Sequence, residues 1–156
     1  MLILGAGFRL RGTILSKSRR SERTLRQMRD ALLALEREIA FALTPLPMLF
    51  ARGGYGEAVD AFFASVSGGL RAGGTLASCW AASTETLTLP LSLKDRVARF
   101  GTTLGGDEEG VRRALRAMAD ELTDALEMYR RERSGRERIT TALCVSGSVL
   151  LLLILL

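Results

Sequence analysis

The apolar positions of the chain follow a helical repeat over most of its length. From residue 25 onward, and again from residue 111, they recur at alternating intervals of three and four residues. Each stretch therefore predicts a long amphipathic helix with one apolar seam. The two seams are Leu25, Met28, Leu32, Leu35 and Ile39, and Val111, Leu115, Met118, Leu122 and Ala125. No segment shows the strict alternation of a β-strand, so the pattern predicts an all-α fold.

Four shorter helices are predicted between the two long ones. Ser21 is a plausible N-cap for the first long helix, and the prolines at 45 and 47 stop or kink its end. A short helix over residues 45–50 precedes the turn-forming glycines at 53, 54 and 56. The next helix ends at glycines 68–69 or 73–74, and a capping-box-like start lies at Ser92. The apolar residues of these helices are Val59, Phe62, Phe63 and Val66; Leu76, Cys79 and Trp80; and Leu93, Val97, Phe100 and Leu104. We expect a compact bundle of about six helices over residues 17–138, with Asp107 capping the last one.

The final 18 residues, 139–156, contain no charged residue. As a helix they would extend about 27 Å, close to the hydrocarbon thickness of a bilayer. A buried core helix is the alternative, but such a helix is rarely apolar on every side. The sequence therefore predicts a C-terminal transmembrane helix, with Ile139, Leu143, Val149 and Leu156 among its anchor residues.

Basic residues flank this tail and suggest its orientation. Of the 22 lysines and arginines, 16 lie before residue 31 or after residue 110. Those before the tail are Arg130, Arg131, Arg133, Arg136 and Arg138. Because positive residues beside a span mark its cytoplasmic side, we expect a protein of the cell membrane whose helical domain faces the cytoplasm.

Residues 1–16 form an apolar segment interrupted by Arg9 and Arg11. Each arginine near a bilayer centre costs about 2.5 to 3.5 kcal/mol, and the order of charge and apolarity is the reverse of a signal peptide. Three interpretations remain: an interfacial amphipathic helix, a degraded membrane span, or the start of a helix of the soluble domain. We expect a degenerate membrane or interfacial segment here.

The composition argues against an enzyme. The chain has no histidine, which excludes Ser–His–Asp catalysis and histidine-ligated metals. Cys79 and Cys144 lack metal-ligand spacing, and the glycine pairs lack a phosphate-loop lysine. Asp30, Glu36 and Glu38 lie beside arginines, as solvated ion pairs usually do. We expect no catalytic residue, metal, cofactor or small-molecule substrate.

The net charge of +5 leaves nucleic-acid binding as a further alternative. The basic runs flank the predicted span and are mixed with Glu132 and Glu137, so contact with the lipid bilayer explains them better than nucleic acid does. Trp80 is expected in the core, with a recognition role as the alternative.

Several motifs, taken in order, resemble the stage III sporulation protein AB family. The stretch from Leu32 to Ile39, with Glu38 in it, is followed by Thr44, Pro45, Leu46 and Pro47 and is similar to the family's first signature. Further along come Trp80, the Leu93-Lys94-Asp95 triplet and the run Phe100, Gly101, Leu104, Gly105 and Asp107, similar to its second. The resemblance covers nearly the whole chain.

The resemblance implies a structural, platform-like component of the sporulation complex that connects mother cell and forespore. Its domain would be similar to the cytoplasmic helical domain of type II secretion and type IV pilus platform proteins. Partners would be other subunits of the membrane complex, with an assembly ATPase as a candidate. The motif residues would be structural or partner-facing: Glu38, Ile39, Thr44, Pro45, Leu46, Pro47, Trp80, Phe100, Gly101, Leu104 and Gly105.

Two features depart from that family pattern. Arg9 and Arg11 interrupt its N-terminal span, and Leu143-Cys144 replaces a Leu-Gly pair in the tail. An alternative function is a tail-anchored helical binding module that regulates an unrelated membrane process.

Overall fold

The computed structural model describes the backbone of residues 2–42 and 44–155, and the side chains of residues 17–41, 44–132, 134 and 135. Within this part of the chain it contains six α-helices, one 3₁₀ helix and no strand. The helices are α1 (Leu2–Ala42), α2 (Leu46–Phe50), α3 (Glu57–Arg71), α4 (Leu76–Thr84), α5 (Leu91–Phe100) and α6 (Glu108–Leu155), and the 3₁₀ helix is Gly101–Gly105. The predicted all-α class is confirmed.

The first helix differs from its prediction. It begins at Leu2 and continues through Ser21, which is buried inside it and is not an N-cap. Between residues 13 and 41 the chain has neither glycine nor proline, and its arginines and leucines are good helix formers, so nothing breaks the helix at the expected start. The backbone of residues 2–16 therefore forms the first turns of α1, while their side chains lie outside the described residues.

The start of α5 also differs. The helix begins at Leu91, and Pro90 occupies the N-cap position without a side-chain cap. The carbonyl of Pro90 accepts hydrogen bonds from the amides of Leu93 and Lys94, at 3.0 and 2.8 Å. The capping box expected from Ser92 was wrong, because the helix already begins at Leu91 and Ser92 lies inside its first turn.

Residues 1–123 form one compact unit, and residues 124–156 form another. In the first unit, α3 packs on α4, α4 on α5 and the 3₁₀ helix, and α1 on α2 and α3. The apolar seam of α1, from Leu25 to Ile39, is buried, as are Val111, Leu115, Met118 and Leu122 of α6. Both predicted seams therefore face a core. Arg96 of α5 pairs with Glu121 of α6 on the surface of this unit.

The second unit is the C-terminal part of α6, whose helical backbone continues to Leu155. Its surface includes an ion pair between Arg131 and Glu127 at 3.7 Å. Within the residues whose side chains the structure describes, no helix is long and apolar enough to span a bilayer. The side chains of the predicted span, residues 139–156, lie outside that part, and so do the anchor residues Ile139, Leu143, Val149 and Leu156.

Candidate functional site

Trp80 lies at the centre of the first unit. Its side chain is fully buried, and its indole Nε1–H donates a hydrogen bond to the carbonyl oxygen of Val97 at 2.8 Å. The bond ties α4 to α5 and satisfies the polar atom of the indole. The core position expected for Trp80 is confirmed.

Aromatic rings surround this tryptophan. Phe62 meets it edge-on at 4.8 Å between ring centroids, and Phe100 does so at 5.7 Å. Phe50 stacks on Phe63 at 4.9 Å between ring centroids, and these two rings lie 6.0 and 6.1 Å from the ring of Trp80. Edge-to-face and offset pairs of this kind add stability beyond the burial of area. The cluster therefore joins α2, α3, α4 and α5 in one core.

Gly101 allows the 3₁₀ helix to lie directly on Trp80. A Cβ atom placed on Gly101 would lie 2.7 Å from the Cβ of Trp80 and 2.8 Å from its Cγ. Such distances are shorter than any normal carbon contact, so the position requires glycine. The Phe-Gly pair and the distant tryptophan of the motif are thus parts of one packed contact. Leu104, in the same 3₁₀ helix, is also buried.

The remaining motif residues of this region are half-buried or exposed. Lys94 donates a hydrogen bond from Nζ to the carbonyl of Glu85 and forms an ion pair with its carboxylate, both at 2.9 Å. This contact neutralises the C-terminal end of α4, where a cation is favourable. Gly105 is exposed, and a Cβ on it would meet no atom within 4 Å. Packing therefore does not require glycine at position 105.

The first motif lies at the junction of α1 and α2. Glu38 forms an ion pair with Arg52 at 2.8 Å, which ties the residues after α2 back to α1. Ile39 is buried, whereas Pro45 and Pro47 are exposed and Thr44 and Leu46 are half-buried. The carbonyl of Pro45 accepts from the amides of Met48 and Leu49 and opens α2.

Two large apolar side chains are exposed at the same junction. Phe41, in the last turn of α1, is 87% exposed, and Met48 of α2 is 66% exposed. The sequence reading missed both as functional candidates. A signal was available, because Phe41 lies two residues after the buried Ile39 and therefore on the opposite side of the helix. An exposed apolar surface beside a motif is a candidate contact for a protein partner.

Tyr55 lies in the loop that follows this junction. Burial raises the pKa of its phenol, and the nearby carboxylates of Glu38 and Asp60 raise it further, while Arg52 opposes them. Asp60 also accepts hydrogen bonds from the amides of Gly54 and Tyr55, at 3.2 and 3.0 Å. The loop is therefore held against α3.

The carboxylates considered for acid–base chemistry are engaged in ion pairs. Glu36 lies 4.0 Å from Arg112 and 3.7 Å from Arg116, which connects α1 to α6 within the first unit. Asp30 pairs with Arg29 at 2.6 Å. Among the described residues, no group of histidine, cysteine, aspartate or glutamate could hold a metal ion. These pairs stabilise contacts between and along helices.

Comparison with known proteins then decides the family. The sequence model of stage III sporulation protein AB matches residues 1–156 of the chain. The chain belongs to the stage III sporulation protein AB family. A solved structure titled stage III sporulation protein AB is similar to it, with a TM-score of 0.65 and 25% sequence identity over 74% of this chain and 98% of that one. No curated protein gives a significant match.

Membership of the stage III sporulation protein AB family makes the chain a component of the sporulation machinery. The expected resemblance is confirmed. Burial divides the residues that carried the resemblance into two groups. Ile39, Trp80, Phe100, Gly101 and Leu104 are buried, whereas Pro45, Pro47 and Gly105 are exposed.

Proposed function

We propose that this protein is a membrane-anchored, platform-like assembly component of the sporulation complex that connects mother cell and forespore. It acts through protein–protein contacts and not through catalysis. The observation that carries the proposal is the division of the motif residues by burial. One group is buried in the core, and the two prolines of the other lie at the α1–α2 junction beside the exposed Phe41 and Met48.

The junction surface, which we define as Phe41, Pro45, Pro47 and Met48, is the proposed contact with another subunit of the complex. Apolar and aromatic anchors of this kind supply much of the binding energy in protein interfaces. The Glu38–Arg52 ion pair connects the residues after α2 to α1, and the buried Ile39 fixes the end of α1 against the core, so both support this surface. An assembly ATPase of the same system is one candidate for the partner.

Membrane attachment is the second part of the proposal. The uncharged tail over residues 139–156 has the length of a span, and basic residues stand before it. Lys17, Arg19 and Arg20 follow the N-terminal segment in the same way. Because positive residues resist translocation, both sets favour the cytoplasmic side and the helical domain would face the cytoplasm. An energy-driven partner could reach it there.

The junction surface is tested by replacing Phe41 and Met48 together with serine in the sporulating host. Loss of two anchors should lower the yield of heat-resistant spores at least about tenfold, because a few apolar and aromatic anchors supply much of the binding energy of an interface. The protein level and membrane fraction should stay unchanged, because neither side chain is part of the core.

Leu91→Ser is the matched control, since Leu91 is 85% exposed at the start of α5 and lies outside the junction surface. It should sporulate normally. Normal spore yield from the Phe41→Ser/Met48→Ser variant would contradict the junction surface as a partner contact. An unrelated regulatory module would be supported only if deleting the whole protein left sporulation intact.

A further inference from the structure

Basic side chains of the first unit differ in whether a partner neutralises them. Most of those that the structure describes between residues 17 and 123 form ion pairs with carboxylates, and Arg37, Arg71 and Arg113 donate hydrogen bonds to carbonyl oxygens of their own helices. The paired residues are Arg26, Arg29, Arg52, Lys94, Arg96, Arg99, Arg112 and Arg116. In the same part of the chain four basic residues have neither kind of contact, and we call them the basic cluster: Lys17, Arg19, Arg20 and Arg23.

The basic cluster is connected along the surface of α1. Arg20 lies three residues from both Lys17 and Arg23, and Arg19 lies four residues from Arg23, so each side chain neighbours another on the helix. All four are exposed, whereas Ser21 in their midst is buried. Like charges at these spacings weaken a helix. The folded chain therefore keeps four positive charges close together without compensating them.

Uncompensated charge is confined to the turns of α1 that follow the apolar segment over residues 1–16. The backbone of that segment and of the cluster belongs to one continuous helix. Further along it, Arg26 pairs with Glu22 at 3.2 Å and Arg29 with Asp30 at 2.6 Å. Arg23 lies about 10 Å along the axis from the end of the apolar segment. A charged surface at that end would act on the whole cluster, because the Debye length is about 8 to 10 Å.

We propose that the basic cluster binds the anionic phospholipid headgroups of the membrane to which the protein is attached. These headgroups supply the negative charge that the chain does not place beside the cluster, and a lipid surface offers several of them at once. Each basic residue near such a surface favours binding about fivefold. The inference rests on the membrane attachment in the proposed function and adds the lipid chemistry that the start of the helical domain contacts.

A lipid surface fits the position of the cluster better than nucleic acid does. A duplex would neutralise the four cations, but it offers nothing to the apolar residues that precede them in the same helix. A bilayer accounts for both, since an apolar segment and the basic residues next to it contact adjacent layers of one membrane. Nucleic acid is therefore an outcome of the test and not a second proposal.

Full-length protein reconstituted from detergent into lipid vesicles tests the contact. Ser18→Cys, combined with Cys79→Ala and Cys144→Ala, places a fluorophore at an exposed position within the cluster. The vesicles contain phosphatidylcholine alone or phosphatidylcholine with phosphatidylglycerol, and both contain traces of a lipid with a spin-labelled headgroup. Quenching of the fluorophore by the spin label measures contact between the cluster and the headgroups.

Anionic lipid should increase the quenching when the cluster is intact, and added salt should reverse the increase. Arg20→Gln/Arg23→Gln should abolish most of the increase, because loss of two cations weakens the contact about twenty-fivefold. The matched control Arg37→Gln/Arg71→Gln removes the same charge from exposed positions outside the cluster and should leave the increase unchanged. The fluorescence of the buried Trp80, recorded before labelling, shows that each protein is folded.

Flotation of the same vesicles separates this inference from the proposed anchor. Flotation with phosphatidylcholine vesicles measures the anchor, which does not depend on headgroup charge. Protein that floats only with anionic vesicles would contradict the anchor, and loss of that flotation in Arg20→Gln/Arg23→Gln would still support the lipid contact. Protein that floats with neither composition would contradict both.

Three further results would overturn the lipid contact while leaving the anchor in place. One is equal quenching in the two kinds of vesicle. Another is an increase with anionic lipid that Arg20→Gln/Arg23→Gln retains, which would assign it to the arginines before the tail. The last is binding of duplex DNA to protein in phosphatidylcholine vesicles, lost in the same variant and without an increase in quenching by anionic lipid, which would assign the cluster to nucleic acid.

Discussion

Individual residues in the core are constrained more tightly than their chemical types suggest. Trp80 could satisfy its indole N–H in many ways, but here it donates to the carbonyl of Val97 and is surrounded by phenylalanine rings. At position 101 only glycine fits, because any side chain would collide with Trp80. The two motif glycines 101 and 105 therefore have different roles, although they look alike in sequence.

Alanine substitution of these two glycines should separate the roles. Gly101→Ala forces its Cβ against Trp80 and should cost about 1 to 3 kcal/mol of unfolding free energy, as other overpacked cores do. Gly105→Ala meets no neighbouring atom and should change stability by less than about 0.5 kcal/mol. Denaturant unfolding followed by the fluorescence of Trp80 measures both. Equal costs would show that Gly101 is not a packing residue.

At the scale of elements, helix ends were harder to predict than helices. The apolar seam of α1 is where its spacing placed it, yet the helix extends well before the expected N-cap at Ser21. The α5 helix begins one residue before Ser92, because Pro90 opens it. A capping residue favours a helix start by about 1 kcal/mol, and a long run of helix-forming residues outweighs that preference.

The substitution Glu22→Pro tests whether α1 begins near Ser21 or continues through it. If Ser21 were the N-cap, Glu22→Pro would occupy the first helical position, where proline is well tolerated. In the continuous α1 it removes a backbone hydrogen bond and clashes with the preceding turn, so it should cost about 3 kcal/mol or more. Glu22→Ala is the control for loss of the pair with Arg26 and should cost less than about 1 kcal/mol. Thermal unfolding in detergent compares them.

At the scale of the whole molecule, charge and apolarity are separated along the chain. The uncharged residues 139–156 follow a run of arginines, and the other basic run lies near the start of α1. The family shows participation in sporulation, while the anchor and its direction remain predictions. Membrane attachment should therefore depend on the C-terminal tail.

Deleting residues 139–156 should release the protein into the soluble fraction. This segment alone combines the length of a span with freedom from charge, whereas residues 1–16 carry Arg9 and Arg11. The control is deletion of residues 1–16, which should leave the protein in the membrane fraction. Sedimentation of membranes measures both, and the blue-shifted fluorescence of buried Trp80 shows that each protein is folded. Retention of the folded tail deletion would make the N-terminal segment an anchor.

The direction in which the helical domain faces is measured by labelling a cysteine variant of the full-length protein in cells. Ala51→Cys, introduced together with Cys79→Ala and Cys144→Ala, places one thiol at an exposed position beside the loop that follows α2. A membrane-impermeant reagent should label it only after the cells are permeabilised, because the domain is proposed to face the cytoplasm. Labelling of intact cells would reverse the orientation.

The amino-acid sequence by itself determined the helical class, the two apolar seams and the core position of Trp80, because each follows from local periodicity and side-chain apolarity. It also contained the family motifs. Only the tertiary structure decided that Gly101 packs on Trp80, that Glu38 pairs with Arg52, and that Phe41 and Met48 are exposed. Those properties depend on atoms that are distant along the chain and meet only after folding. Local patterns contain no information about which distant residue fills a space or leaves a side chain uncovered.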